Sequence, residues 1–262
     1  MTMTGRRQLE GKHVLVTGGG RGIGMAIGRA LLEEGARLTL AGRNTERLAA
    51  AVQMLQPLGE VSQVEMDVTR VDAVRKGFEA AAARFGPVSI LVNNAGQALS
   101  APFVKTDASL WQAMLDVNLS GAFHCTQAAL PSMLDAGWGR IVNIASTAGL
   151  TGYAYVSAYC AAKHGLIGLT RALALEVATK GVTVNAVCPG FTDTDLVKDA
   201  VDNFAAKTGR STEQARAELA SRNPQKRLVE PEEVANAVVW LCLPGATAMN
   251  GQSLPVAGGE VM

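Results

Sequence analysis

Val14-Leu15-Val16-Thr17-Gly18-Gly19-Gly20-Arg21-Gly22-Ile23-Gly24 is the stretch on which the reading of the chain turns. Three successive apolar residues suit a strand covered on both faces, the pattern of a parallel sheet. The glycines behind them allow a tight turn and a close approach of backbone to a ligand. From Met25 to Glu34 the apolar residues fall three and four apart, so a helix begins directly beyond the turn. Its first N–H groups lack partners and carry partial positive charge, which makes a seat for phosphate. A glycine cluster alone is a weak signal. Between the first strand and first helix of an alternating chain it is a strong one.

The alternation holds outward from that point. Leu38-Thr39-Leu40, Val64-Glu65-Met66, Ile90-Leu91-Val92, Ile141-Val142-Asn143-Ile144 and Val182-Thr183-Val184 read as further strands. Thr45 to Leu55, Asp72 to Arg84, Ser109 to Leu134 and Ser157 to Thr179 read as amphipathic helices between them. Strand-helix-strand repetition with right-handed crossovers gives an α/β, doubly wound, Rossmann-type sheet with helices on both faces. No Pro- or Gly-rich linker interrupts it, so residues 1–262 read as a single domain. Asp195 to Arg227 is polar and Ala-rich, an insertion beyond a strand's carboxyl end and well placed to cover a ligand.

Composition narrows the classes. The 262 residues are 48% hydrophobic and 18% charged, which supports a sizeable core and excludes disorder. A net charge of +1 with scattered Lys and Arg gives no nucleic-acid patch. No apolar run reaches the roughly 20 residues that span a bilayer, and Met1 to Arg7 lacks a signal-peptide core. A soluble, cytoplasmic protein with neither nucleic acid nor membrane as partner is expected. Cys125, Cys160, Cys188 and Cys242, like His13, His124 and His164, show no metal spacing, so no metal site is expected.

A dinucleotide seated on the turn has its adenosine ribose read at the end of the second strand, about 20 residues on. NAD calls for an acid there. This chain has Ala41-Gly42-Arg43-Asn44, whose guanidinium suits a 2′-phosphate, so NADP(H) is the expected cofactor. Arg21 offers a second positive charge or a solvated turn residue. Asp67, beside Val68, is placed either to meet the adenine amino group or to cap the following helix.

Tyr159 and Lys163 lie four apart and leave one helix face together. A phenol with a pKa of about 10 is a poor base at neutral pH. An ammonium about 6 Å away, at an effective dielectric of about 20, stabilises its anion by about 3 kcal/mol. That is about two pKa units, which would bring Tyr159 near operating pH. Ser146 follows a strand at the carboxyl end where ligands bind, placed to hold a carbonyl oxygen. Asn118 interrupts the helical stretch Ser109 to Leu134 with an indifferent helix former, a position suited to holding a water against Lys163.

Thr17-Gly18-x-x-x-Gly22-x-Gly24, Asn93-Asn94-Ala95-Gly96, Asn118, Ser146, Tyr159-x-x-x-Lys163 and Pro189-Gly190 together resemble the short-chain dehydrogenase/reductase family, over roughly residues 9 to 259. The resemblance implies a sheet of seven mostly parallel strands and a catalytic tetrad of Asn118, Ser146, Tyr159 and Lys163. It implies a cofactor held by Thr17, Gly18, Gly20, Arg21, Gly22, Ile23, Gly24, Arg43, Asp67 and Val68, then by Asn94, Ala95 and Gly96, with Asn93 near the adenosine side. Tyr159 and Lys163 would reach the nicotinamide ribose, and Pro189, Gly190, Thr192 and Thr194 the nicotinamide end. A homotetramer or homodimer is implied as well. The tail Pro255-Val256-Ala257-Gly258-Gly259 departs from the family, many members of which carry an aspartate before the glycine pair.

The implied activity is interconversion of a ketone and a secondary alcohol. Expected substrate walls are Gln97, Thr147, Tyr153, Tyr155 and Phe191, and Thr147 to Ser157 holds no cation for the carboxylate of a small hydroxy acid. The stretches around Ser146 and Pro189 are similar to those of 3-oxoacyl-thioester and polyketide ketoreductases. A 3-oxoacyl thioester of CoA or an acyl carrier protein is therefore the first expectation, with steroid, sugar or other ketones and alcohols as the alternative. Lys198, Lys207, Arg210 and Arg222 either meet its phosphate or form a solvated face. A non-enzymatic dinucleotide sensor would be expected to have lost tetrad members, and all four are present.

Overall fold

The computed structural model describes residues 7–195, 197–198, 201 and 209–262. Alternation of buried residues along the first strand sets its architecture. In β1 (His13–Thr17) every residue is buried: Val14 and Val16 face one side of the sheet and Leu15 the other. β2 (Arg37–Gly42) and β4 (Ile90–Asn93) flank β1, and β3 (Val61–Glu65) lies outside β2. β5 (Gly139–Ile144), β6 (Val182–Pro189) and β7 (Ser253–Val256) extend the other half, giving the order β3-β2-β1-β4-β5-β6-β7. All six strand pairings are parallel.

Two helical layers close the core. α1 (Gly22–Glu33) and α2 (Thr45–Leu55) cover the face that holds Val14, Val16, Leu38 and Val142. α3 (Val71–Phe85) and α5 (Gly121–Asp135) cover the face of Leu15, Leu91 and Ile141. α4 (Ala108–Leu115) runs into α5 through a π turn at Asp116–Ser120. α6 (Ser157–Glu176) adds its buried Leu166 and Ile167 beside β6. After β6 come α7 (Thr212–Ser221), opened by a Ser211–Gln214 capping box, and α8 (Pro231–Cys242), which packs its Val234, Val238 and Leu241 into the α1 layer.

Strand order reverses between β1 and β4. In doubly wound sheets ligands bind at that switch point. The excursion between β6 and α8 is pinned at its neck: Thr192 bridges Val229 in parallel, Asp193 N–H donates to Val229 O and Val229 N–H to Phe191 O.

Candidate active site

A crevice of about 800 Å³ opens at the switch point. Its floor is the glycine turn. Gly18 and Gly22 have φ of 64° and 51°, which L residues with a side chain rarely adopt. A methyl at Gly24 would sit 2.5 Å from Gly18 O, so only a bare Cα lets α1 start so close to the turn. Asn94 pins the turn by donating to Thr17 O at 2.9 Å and Gly18 O at 3.1 Å. Thr17 supports from behind: its Oγ1 accepts from Asn94 N and Ala95 N. Such a cradle of bare glycines at a helix N-terminus fits a pyrophosphate.

The crevice is lined by Gly18, Gly20, Arg21, Gly22, Ile23 and Gly24, then by Arg43, Asp67, Val68, Asn94, Ala95, Gly96, Pro189, Gly190, Thr192 and Thr194. These are expected cofactor residues; Thr17 is the one that stands behind the wall. At the end of β2 the wall is Gly42, Arg43, Asn44, Arg47 and Leu48. Arg47 was not foreseen. Its position on α2 reads as an ordinary helix face, and only the docking of that helix beside Gly20 brings it to the crevice. Asp67 is not a helix cap: its Oδ1 accepts from Thr69 N and Thr69 Oγ1. Burial raises its carboxyl, but the Thr69 bonds and nearby Arg43 and Arg70 outweigh that and hold its pKa below the usual value. Arg21 reaches Asp195 at 3.2 Å across the mouth, an exposed pair.

Asn93 does not approach the adenosine side. Its side chain turns behind the crevice and donates to Thr126 Oγ1 and to Asn143 Oδ1, within a buried polar chain that continues to Thr170.

The expected tetrad converges. Asn118, Ser146, Tyr159 and Lys163 all line the crevice. Asn118 sits in the π turn, where it donates to Gln97 O at 2.9 Å and Met114 O at 3.0 Å and accepts from Gln97 N. π turns inside helices recur at functional sites. A methyl at Gly96 would lie 2.8 Å from Asn118 Oδ1 and 3.6 Å from Lys163 Nζ, so the bare Cα faces both side chains. Ser146 Oγ accepts from Ala148 N at 3.1 Å and is also hydrogen-bonded to the Tyr159 phenol, so the two hydroxyls face the crevice side by side. Lys163, 4% exposed, donates to Ile144 O at 2.8 Å, and its Nζ lies 5.6 Å from the Tyr159 ring centre.

The electrostatics correct one expectation. Burial pushes the Tyr159 phenol up to about 12, against the pull of its hydrogen bond with Ser146. The same desolvation brings Lys163 down to about 8. The ammonium therefore does not draw the phenol toward neutrality here. Its proton is shared with the Ile144 carbonyl, and both groups favour their uncharged forms out of water. At pH 7 the Tyr159 phenol keeps its proton.

Of the expected substrate residues, Gln97 lines the crevice and the others do not. Thr147 is buried and bonded to Tyr153. Tyr153 meets Phe191 edge-on, and Tyr155 is 66% exposed with a φ of 69°. Each side chain has a closer partner, or solvent, than the crevice. Lys198 is exposed, Arg210 pairs with Glu218, Arg222 lies over the Tyr153 ring, and Lys207 falls outside the described residues. Among the described residues no helix is long and apolar enough to cross a membrane, and no cluster of three or more His, Cys, Asp or Glu is placed to hold a metal.

A parallel sheet with a glycine turn at its switch point, facing a Ser, a Tyr and a Lys across one crevice, defines a dinucleotide-linked oxidoreductase of the CH–OH type. Residues 12–204 match the short chain dehydrogenase family, and the chain belongs to it. It is 39% identical over 255 residues to a D-beta-hydroxybutyrate dehydrogenase of Cupriavidus necator, spanning 97% of this chain and 99% of that one. It is 38% identical over 254 residues to the 3-oxoacyl-acyl-carrier-protein reductase FabG of Aquifex aeolicus, spanning 96% and 98%. A single-site variant of actinorhodin polyketide ketoreductase, solved with NADPH, superposes with a TM-score of 0.92 at 39% identity, spanning 95% and 97%. The chain is a ketoreductase-type enzyme that works with a nicotinamide dinucleotide.

Proposed function

We propose that the enzyme is an NADPH-dependent reductase of 3-oxoacyl thioesters, carried on CoA or an acyl carrier protein. The observation that carries the reading is the convergence of Ser146, Tyr159 and Lys163 on the crevice wall that faces the glycine turn. A bound nicotinamide supplies the hydride. Ser146, hydrogen-bonded to Tyr159, turns its proton to the incoming carbonyl oxygen and holds it beside the phenol. The neutral phenol then gives its proton to the oxygen as negative charge develops there. Lys163 and Asn118, which both face Gly96, help reload the phenol.

Arg43 and Arg47 support NADPH over NADH, since two guanidiniums at the ribose end attract a 2′-phosphate. The thioester choice is supported by the relatives named for 3-oxoacyl and polyketide reduction. It is also supported by the Thr147–Ser157 segment, which offers no cation to a free carboxylate.

The test is a panel of ketones, 3-oxoacyl thioesters and 3-hydroxybutyrate, followed by nicotinamide absorbance with each cofactor. NADPH with thioesters is expected to give the highest kcat/KM, and oxidation of 3-hydroxybutyrate with NAD as the best reaction would overturn the reading. Arg43→Ala should weaken NADPH binding about ten- to a hundredfold, as for loss of a charge-assisted hydrogen bond. NADH binding should not change. An unaltered cofactor preference would remove Arg43 from the argument.

A further inference from the structure

We infer that Glu260, on the segment that follows β7, is a positioning residue that braces the Ser146 loop against the end of β6. The inference rests on the ketoreductase reading of the site. Tyr153 Oη lies 2.6 Å from Glu260 Oε1 and 2.8 Å from Thr147 Oγ1. Tyr153 has one hydroxyl proton. The carboxylate takes it, because a charged acceptor makes the stronger bond, and Thr147 then donates to the phenol oxygen. Burial, and next the bond to Glu260, keep that phenol protonated well beyond its ordinary range, while the Thr147 bond opposes them.

The second carboxylate oxygen rests against the crevice wall. A methyl at Gly190 would come within 2.9 Å of Glu260 Oε2, so the carboxylate occupies the space that the bare Cα leaves. Around this point the Tyr153 ring meets Phe191 edge-on at 6.3 Å, and the Arg222 guanidinium lies 5.2 Å above it. Glu260 thus joins the loop after β5 to the end of β6, and the Tyr153 ring carries the contact on to Arg222 of the excursion. Thr147 directly follows Ser146, so the brace acts one residue from the group that holds the carbonyl.

The departures in the tail acquire a geometric reason. Ala257 is buried against Gly190, and Gly258, with a φ of 59°, has no room for a side chain beside Asn223. Together they deliver Glu260 to Tyr153.

The test uses the full chain with NADPH and acetoacetyl-CoA, or the best ketone of the panel if that thioester is not reduced. Glu260→Ala should lower kcat/KM for the ketone about tenfold, chiefly in kcat, and leave the Kd for NADPH within about twofold. Glu260→Gln retains an acceptor oxygen for Tyr153 and should recover activity to within about threefold of the parent. Tyr153→Phe should match Glu260→Ala, and the double variant should be no worse than either. Unchanged turnover in Glu260→Ala, or equal losses in NADPH binding and turnover, would overturn the brace. Should the parent reduce no ketone, the ketoreductase reading fails separately. Amide exchange over 147–156 then decides: faster exchange in Glu260→Ala upholds the brace, and unchanged exchange overturns it.

Discussion

Gly96→Ala is a one-methyl change whose consequence follows from three distances. The new Cβ would stand 2.8 Å from Asn118 Oδ1 and 3.6 Å from Lys163 Nζ. The first is closer than a carbon and an oxygen tolerate, so Asn118 must retreat. Its bond from Gln97 N is already 3.3 Å long and is lost on any retreat. Its bonds to Gln97 O and Met114 O, at 2.9 and 3.0 Å, are then strained. Asn118 is buried, so water does not replace these partners. Losing one or two such bonds costs about 1–3 kcal/mol. For a chain of this size each kcal/mol lowers Tm by about 2–4 °C, so a fall of about 2–12 °C is expected. Turnover should fall further than stability alone requires, because the new methyl also stands 3.6 Å from Lys163 Nζ and Asn118 moves within the crevice wall. The assays are calorimetric unfolding and steady-state ketone reduction, with NADPH affinity as the control for folding. Asn118→Ala in the Gly96→Ala background should add little further destabilisation, since the clash and the bonds share one partner. An unchanged Tm with activity intact would show that Gly96 is not wedged against Asn118.

The pH dependence of ketone reduction should follow Lys163 rather than Tyr159: flat through neutral pH, then falling above about 8 as the ammonium is lost, while the phenol stays protonated to about 12. A fall that begins on the acid side of neutrality would contradict it. Tyr159→Phe should abolish reduction at every pH while NADPH still binds; substantial residual turnover would remove the proton-donor role. His13, buried and bonded to Gly86 O and Thr39 Oγ1, has its pKa lowered chiefly by burial. Its neutral form therefore stabilises the native state above the unfolded pKa of about 6.5, and that contribution declines as pH falls below it. His13→Gln should flatten this part of the acid limb in denaturant unfolding, and an unaltered limb would refute the assignment.

The sequence made the central strands readable because a strand buried on both faces is apolar at successive positions, as Val14-Leu15-Val16 and Ile90-Leu91-Val92 are. Edge strands lack that signature. β3 reads Val61-Ser62-Gln63-Val64-Glu65, so periodicity alone placed it three residues late at its start and one late at its end. β7 contains Pro255, a residue that argues against a central strand and is tolerated at an edge. Its existence came from resemblance. The meeting of Asn118, Ser146, Tyr159 and Lys163 in one crevice was legible through spacing and family pattern together. The π turn was not, because Asp116–Ser120 keeps helical composition and alters only which carbonyl each N–H meets. Arg47 and Glu260 escaped notice for a different reason: their neighbours in space, Gly20 and Tyr153, are distant in the chain.

The bridge between Thr192 and Val229 has a consequence for the length of the excursion. Because the chain leaves the sheet and returns to it at one place, the stretch between can change in length at little cost to the sheet. Doubling its length would add only about 0.6 kcal/mol of closure entropy, and no strand need shift to accommodate the change.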